Sequence, residues 1–334
     1  MSHELLHKLA SHEEMNSQRL RSFRMINNIS STQGINQRSH KNASLYKRLR
    51  FRASLTKARG PILWYRHRHF KPSDVFLASY PRSGSTWLRF MLFEILTGQS
   101  SEFANVNAAF RPVGEHRHGR PLFVGEGRLI GTHEKYRHHY QHAVYLVRDV
   151  RDVALSEYAR EQEAGFIRRD FTSYLRALLE GHNRHGSWQS HVTSWLHSPM
   201  AQRGELHVIR FDQLRNNTSE TLANLVGFLG FEVSHEAIQN AITNNSVKKM
   251  REKEDRVHSG RASGKIPRRP YKGSTEEGRF VRQGSIAGWR AHFTEAQARL
   301  VDQYAGDVLR LLGYPLASEL PAMSDSTIQM SATR

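Results

Sequence analysis

Residues 75–87 read VFLASYPRSGSTW, and this stretch decides the fold. Its first part, 75–79, is a short apolar run, typical of a strand that is buried on both faces. A loop of small residues follows over 80–86. Residues 87–97 predict a helix, because apolar residues recur there with helical spacing and Gly98 provides a stop. A strand, a phosphate-sized loop and a helix in this order favour an α/β fold with ligand chemistry at the start of the helix.

The rest of the chain continues the alternation of strands and helices. Strands are predicted at 143–147 and 206–211, and helices from about residue 152, over 218–229, and from a capping Thr294 to residue 312. This pattern predicts a single α/β domain with a central parallel β-sheet, helices on both faces and a ligand cleft at the carboxyl ends of the strands. Residues 251–283 are polar and rich in Arg, Gly, Ser and Pro, which predicts a long loop.

Composition excludes several classes of protein. The chain has 334 residues, is 38% hydrophobic and contains no Cys. A disulfide framework, a thiolate nucleophile and Cys-ligated zinc or iron–sulfur sites are therefore excluded. The longest apolar runs fall far short of the ~18 residues that span a bilayer. The first residues contain no apolar segment typical of a secretory signal, so we expect a cytoplasmic protein.

The net charge of +18 is unevenly distributed. Residues 1–73 carry +12 and residues 245–282 carry +7, whereas everything else sums to −1. A nearly neutral body does not favour specific nucleic-acid binding. We interpret residues 1–73 as a basic extension, partly disordered or helical, with peripheral contact to an anionic membrane as the alternative. A mitochondrial presequence is a third interpretation, weakened by Glu4, Glu13 and Glu14.

The first motif with chemical meaning is the loop over 82–86. A loop of small residues between a strand and a helix turns backbone N–H groups toward one point, where the helix adds positive partial charge. Ser85 and Thr86 add hydroxyl donors, and Arg82 adds a planar fork for oxyanions. The loop lacks the G-x-x-x-x-G-K-[ST] pattern of a Walker A motif. The alternative interpretation is an ordinary helix-entry turn with a capping Ser.

The second motif, YLVRDVRDVALS, covers residues 145–156. Arg148 stands at the carboxyl end of a predicted strand, where open α/β sheets place ligands. Ser156 falls within the next predicted helix, so it can face the same ligand. A cation and a hydroxyl together suit a second phosphate. The alternative is a surface network in which Arg148 and Arg151 pair with the neighbouring aspartates, an arrangement of little energetic value.

Together the two motifs resemble those of the sulfotransferases that use 3′-phosphoadenosine 5′-phosphosulfate (PAPS). The first is similar to the family's 5′-phosphosulfate loop and the second to its 3′-phosphate motif. The resemblance runs from about residue 75 to 315 in the family's order. Further matching segments are LIGTH at 129–133, GSW at 186–188 with HV at 191–192 and Trp195, FDQL at 211–214, KMR at 249–251, FVRQG at 280–284, and GWR at 288–290 with FT at 293–294.

The resemblance implies transfer of a sulfuryl group from PAPS to an acceptor hydroxyl, in line and without a metal. It implies that His133 is the general base and that Arg82 offsets charge on the leaving phosphate. The residues implied to bind the 5′-phosphosulfate are Arg82, Ser83, Gly84, Ser85 and Thr86. Those implied to lie at the adenine are Trp87, which would stack on it, and Phe211. Those implied at the 3′-phosphate are Arg148, Ser156, Arg282, Gln283 and Gly284.

Four positions depart from the family's pattern. Arg82 stands where much of the family has Lys, and Gly131 stands two residues before the base, where many soluble members have Lys. Phe211 replaces a Tyr, and Gln283 replaces a Lys. These departures bear on rate and cofactor affinity rather than on the class. The alternatives are another P-loop-type nucleotide-dependent kinase, or a family member that binds the cofactor with weak or lost catalysis.

The stretches expected to build the acceptor pocket, about 101–127, 134–142 and 157–187, are rich in Arg and His. They favour a polar small-molecule or saccharide acceptor, or a polar natural product, over a flat phenol or a sterol. We expect a monomer or a homodimer. The predicted organisation is a basic extension over 1–73, a sulfotransferase domain over 74–316 and a tail over 317–334.

Overall fold

The strand predicted at 75–79 lies at the centre of a five-stranded sheet. The computed structural model describes residues 64–320, apart from residues 164, 166, 168, 261–278, 280, 282 and 283. The strands are β1 (Val75–Ser79), β2 (Pro121–Phe123), β3 (Gly127–Thr132), β4 (His142–Val147) and β5 (Leu206–Arg210). Their order is β2-β3-β1-β4-β5. The four longer strands run parallel, as predicted, and the short β2 is antiparallel to β3 at one edge.

Helices cover both faces of this sheet, as the alternating pattern predicts. They are α1 (Ser85–Thr97), α2 (Phe103–Ala109), α3 (Val150–Glu163), α4 (Phe171–Leu179), α5 (Trp188–Leu196), α6 (Pro199–Gln202), α7 (Phe211–Asn216), α8 (Thr218–Phe228), α9 (His235–Asn244), α10 (Val247–His258) and α11 (Glu295–Leu311). Short 3₁₀ turns occur at His116–His118, Val124–Glu126, Gly288–Ala291 and Ala317–Glu319. In the part of the chain that the structure describes, no helix is long and apolar enough to cross a membrane.

Alternation along the strands divides the core between the two faces. In β1, Phe76 and Ala78 face one apolar cluster, which α3, α4, α5 and α11 complete. Val75 and Leu77 face the other, which α1, α2, α8, α9 and α10 complete. All five residues of β1 are buried. A strand that is apolar on both sides is what a parallel sheet between two helical layers requires.

Local chemistry explains where three boundaries differ from the prediction. α1 begins at Ser85 rather than 87, because Gly84, with φ 96°, forms its N-cap. α3 begins at Val150 rather than near 152, and the Asp149 carboxylate accepts a hydrogen bond from the N–H of Arg151 in its first turn. β5 ends at Arg210, so Phe211 begins a helix. The predicted cap Thr294 is confirmed, with Gln297 completing a capping box.

The long loop predicted over 251–283 is wrong for its first part, which belongs to α10. Four residues at helical spacing are buried on this helix, and two of them are charged: Met250, Lys253, Glu254 and Val257. Because Lys253 and Glu254 are charged, the sequence pattern did not indicate that this face of the helix is buried. Most of the remaining segment lies outside the described residues.

The parallel arrangement brings the carboxyl ends of four strands to one edge of the sheet. β1, β3, β4 and β5 end there, and the residues that follow are Tyr80, His133, Arg148 and Phe211. Three of these four were candidate site residues. The fold therefore assembles the predicted motifs by topology alone.

A buried ion pair fixes the opposite end of the sheet. Asp74 precedes β1 and is fully buried, and both of its carboxylate oxygens accept hydrogen bonds from Arg128 of β3, at 2.6 and 2.9 Å. Arg128 also donates to the carbonyl oxygens of His69 and His116. The pair thus ties the start of the central strand to its neighbour and to the chain segments beside it.

We expect Asp74→Ala to lower the free energy of unfolding by about 3–5 kcal/mol, because it leaves the Arg128 guanidinium buried without its counter-ion. Glu295→Ala removes an ion pair with Arg299 in which both side chains are largely exposed, and it should cost less than about 1 kcal/mol. Urea denaturation of the two variants beside the unchanged protein measures both. Equal losses would contradict the structural role of Asp74.

Candidate active site

The loop after β1 has the strained backbone of an anion-binding turn. Arg82 adopts φ 66°, which is uncommon for a residue other than Gly, and Gly84 adopts φ 96°. Ser83 lies between them and is fully buried, and its hydroxyl has no hydrogen-bond partner among the described residues. A buried hydroxyl without a partner costs free energy, so the loop is built to receive a ligand oxygen there. The first N–H groups of α1 begin one residue later, at Ser85 and Thr86.

The two predicted motifs meet directly. Nε of Arg82 donates to Oγ of Ser156 on α3 at 2.9 Å. Arg148 donates to the carbonyl oxygen of Arg82 at 3.3 Å and to that of Ser285 at 2.9 Å. The loop after β1, the end of β4 and the segment after Gly284 are therefore one hydrogen-bonded unit. The sequence prediction placed Arg82 and Ser156 on different phosphate groups of one ligand, and the structure places them in contact.

Aromatic rings form the wall beside this loop. The ring of Phe211 packs so closely against Gly84 that a Cβ atom there would lie 2.6 Å from it, and a Cβ on Gly284 would lie 3.7 Å from it. The Arg148 guanidinium lies 4.5 Å from the centre of the same ring. Trp87 meets Phe211 edge to face, with the ring centres 6.4 Å apart. Both rings thus border the loop at which the sequence predicted a nucleotide base.

His133 follows β3 and is anchored to the end of β1. Its Nδ1 donates to the carbonyl oxygen of Ser79 at 2.8 Å. That bond fixes the tautomer, so Nε2 is the nitrogen with a free lone pair. Burial lowers the pKa of His133, the bond to Ser79 opposes the shift, and the charge of Arg184 adds to it. The imidazole is consequently neutral near pH 7 and able to accept a proton.

Two further histidines hold the backbone at His133, and the sequence analysis gave neither of them a role in the site. The carbonyl oxygen of His133 accepts hydrogen bonds from Nδ1 of His185 at 2.9 Å and from Nε2 of His191 at 3.3 Å. Burial lowers the pKa of His191 to about 3, and burial with the charge of Arg184 lowers that of His185 well below its ordinary value. The hydroxyl of Tyr145 lies 2.9 Å from Nδ1 of His191. Both rings therefore act as neutral donors that fix the candidate base.

A buried polar network behind Trp87 was also missed. Nε1 of Trp87 donates to the carbonyl oxygen of Asn245 at 2.7 Å. Nζ of Lys253 donates to the side chains of Asn245 and Ser101, each at 2.8 Å, and lies 3.5 Å from Oε1 of Glu94. The sequence offered one signal, the Lys-Met segment at 249–250 in the first turn of α10, but nothing in it connected Lys253 with Trp87.

The structure brings together ten of the predicted site residues around the loop after β1: Arg82, Ser83, Gly84, Ser85, Thr86, Trp87, Arg148, Ser156, Phe211 and Gly284. His133 lies next to them through Ser79, the last residue of β1. Arg282 and Gln283 fall outside the described residues. The described ranges contain no group of three or more His, Asp or Glu side chains placed to hold a metal ion.

We expect Gly84→Ala to lower the free energy of unfolding by about 2–5 kcal/mol, since the Cβ both strains a left-handed backbone and displaces the Phe211 ring. Gly98→Ala is the matched control, because Gly98 has φ 64° and no atom near its Cβ position. That change should cost only about 1–2 kcal/mol. Thermal or urea unfolding compares them, and an equal effect would show that Phe211 does not constrain the loop.

Comparisons with known proteins agree with this geometry. The model of the sulfotransferase domain family matches residues 132–313, more than half of the chain. The 3-beta-hydroxysteroid sulfotransferase of Cavia porcellus is 27% identical, with 73% of this chain and 86% of that protein covered. Sulfotransferase 2B1 of Homo sapiens is 25% identical, with 77% and 72% covered.

Solved structures show the same fold. Mouse sulfotransferase SULT7A1 complexed with PAP superimposes with a TM-score of 0.56 at 20% identity, covering 74% of this chain and 89% of that one. Retinol dehydratase in a complex with retinol and PAP gives a TM-score of 0.58 at 18% identity, covering 74% and 84%. With the motifs in order and the family model matched, the chain belongs to the sulfotransferase family, and the enzyme class predicted from its sequence is confirmed.

Proposed function

We propose that this sulfotransferase moves a sulfuryl group from PAPS to a hydroxyl of a polar acceptor, with His133 as the general base and residues 74–316 as the catalytic domain. One observation carries the proposal. A single hydrogen-bonded unit joins Arg82, Ser156 and Arg148 at the carboxyl ends of the parallel strands, and an imidazole with a free Nε2 is anchored beside it.

The residues present fit a nucleotide that carries phosphate or sulfate at both ends. The buried Ser83 hydroxyl offers a donor that no described residue uses. The N-terminus of α1 offers backbone N–H groups and positive partial charge for the 5′ group. Arg148 and Ser156 offer a cation and a hydroxyl for the 3′-phosphate. Trp87 and Phe211 offer aromatic faces for the base.

Charge stabilisation and proton removal are the tasks left to the protein. When bound, PAPS supplies the sulfuryl group that passes to the acceptor oxygen. Arg82, held by its bond to Ser156, offsets negative charge that grows on the phosphate left behind. Nε2 of His133 takes the proton of the acceptor hydroxyl as the oxygen becomes a nucleophile. The fixed tautomer orients that nitrogen before the acceptor arrives.

The proposed acceptor is polar because charged groups surround the base. The guanidinium of Arg184 donates to His185, whose ring centre lies 6.0 Å from that of His133. The Glu157 carboxylate is largely buried and pairs with Arg160. Hydrogen bonds and charge from Arg160, with further charge from Arg82, hold the pKa of Glu157 below its ordinary value against the effect of burial. One of the relatives described above is named for a steroid substrate, but an apolar sterol would desolvate these charges without pairing them.

We expect PAP, the desulfated product nucleotide, to bind far more tightly than ATP with magnesium, because the site offers Arg148 and Ser156 to a 3′-phosphate. Arg148→Gln should weaken PAP binding by about 10–100-fold, the value of one charge-assisted hydrogen bond. Calorimetric titration measures both. Tight ATP binding with no preference for the 3′-phosphate would overturn the assignment in favour of a kinase.

We expect His133→Asn to reduce kcat by about 10²–10⁴-fold, the usual contribution of a general base, while PAP binds as before. In the unchanged enzyme, kcat/KM should fall with decreasing pH, because protonation removes the lone pair of Nε2. Since burial lowers the pKa of His133, the midpoint of that fall should lie below the ordinary value of about 6.5. If His133→Asn turns over as fast as the unchanged enzyme, the base is misassigned. If the unchanged enzyme binds PAP but shows no turnover, it has lost catalysis.

A further inference from the structure

A second cavity lies outside the transfer site, and its lining is basic. It is bordered by three arginines, two histidines and a tyrosine: Arg66, Arg68, Arg117, His116, His118 and Tyr65. We call this cavity the basic groove. Its floor is fixed, because the fully buried His116 hydrogen-bonds through Nε2 to the carbonyl oxygen of Arg68 at 3.0 Å. The site described above uses none of these residues.

One residue of the groove, Arg66, contacts the residue that follows the candidate base. Nη1 of Arg66 lies 3.8 Å from a carboxylate oxygen of Glu134, which directly follows His133. Nη2 of Arg66 donates to the carbonyl oxygen of Val113 at 2.8 Å. The backbone of Val113 is in turn bonded to Gly131 of β3. Arg66 is therefore the link between the groove and the strand that carries His133.

Positive charge accumulates along the groove. Arg68 and Arg117 are exposed, and neither forms an ion pair with a carboxylate among the described residues. Desolvation and then the charges of Arg117, Arg68 and Arg128 lower the pKa of the neighbouring His69. Cations that line one cavity repel one another in the free protein, and an anionic ligand would relieve that repulsion.

Exposed aromatic rings adjoin these cations. Trp64 is 68% exposed and Tyr65 is 57% exposed, which is unusual for residues of this size. The guanidinium of Arg68 lies 4.7 Å from the centre of the Trp64 ring. Exposed aromatic rings that lie next to cations suit the apolar faces of sugar rings, whose hydroxyl and acidic groups lie around the edge of the ring.

We propose that the basic groove binds the acidic groups of an anionic saccharide, one of whose hydroxyls is thereby presented to His133. This inference rests on the proposed function, because it names the acceptor class of the same reaction. The ligand must place acidic groups in the basic groove and a hydroxyl at His133 at the same time. It must therefore be an extended molecule that carries both kinds of group. A carboxylated or sulfated sugar chain has hydroxyls and negative charges at short, regular intervals.

The test uses the full chain and two tetrasaccharides. Tetragalacturonate carries a carboxylate on every sugar, and its methyl ester keeps the ring hydroxyls without the charge. Calorimetric titration should show at least about tenfold tighter binding of the acid, the value of one or more charge-assisted contacts. Increasing salt should weaken the binding of the acid and leave that of the ester unchanged.

A matched pair of double variants locates the binding. Arg68→Gln with Arg117→Gln removes two charges from the groove and should abolish the preference for the acid. Arg299→Gln with Arg310→Gln removes two charges from exposed positions on α11 and should leave the preference intact. PAP is titrated separately into each protein and should bind all of them equally, since no mutated residue belongs to the nucleotide site.

Equal affinity for acid and ester, no binding of the acid at millimolar concentration, or a preference that survives the groove variant would each overturn the inference. So would tighter binding of a short RNA or of phosphatidylserine vesicles through the same arginines, which would assign the groove to those polyanions. Failure of PAP to bind would count against the proposed function alone, because the saccharide titration does not require the nucleotide.

Discussion

The site depends on the contacts that the guanidinium of Arg148 makes with three separate segments of the chain. It donates to the backbone at Arg82 on one side and at Ser285 on the other, and it covers the ring of Phe211. Three segments far apart in the sequence are positioned by one side chain. Backbone carbonyl oxygens accept hydrogen bonds from two of its nitrogen atoms without cancelling its charge, and the carboxylate of Asp152 lies 3.9 Å away. Arg148 can therefore order the loops and still attract a phosphate.

The candidate base is held in position by neutral rings, whereas the loops at Arg148 are held by a charged group. Tyr145 and Trp195 stack with their ring centres 5.6 Å apart, and Tyr145 also stacks on His191. His191 and His185 then hold the carbonyl of His133 from the core side. Because burial keeps both supporting histidines neutral, they add no positive charge that would further oppose protonation of His133. A rigid and uncharged support lets the base gain and lose its proton without moving.

The sequence was sufficient to predict the fold and which candidate site residues lie close together, and particular residues explain why. The apolar run at 75–79 and the small residues after it specify a strand and a tight turn through local chemistry alone, so their prediction required no tertiary contact. Parallel pairing then places Arg82, His133, Arg148 and Phe211 at one edge. The predictions that were wrong concerned residues whose contacts lie elsewhere in the fold. Lys253 and Glu254 of α10 read as solvent-facing charges because their partners lie far away in the sequence.

The hydrogen bond between Trp87 and Asn245 makes the aromatic wall continuous with a buried ion pair. Asn245 also binds Lys253, and Lys253 reaches Ser101 and Glu94, so α1, the start of α2 and α10 meet behind one indole ring. A nucleotide base that packs on this indole would stabilise the packing of the three helices by its binding free energy. By thermodynamic linkage, a change that weakens this packing would lower the affinity for the nucleotide. Nucleotide affinity and the stability of this half of the core would then be two measures of the same contacts.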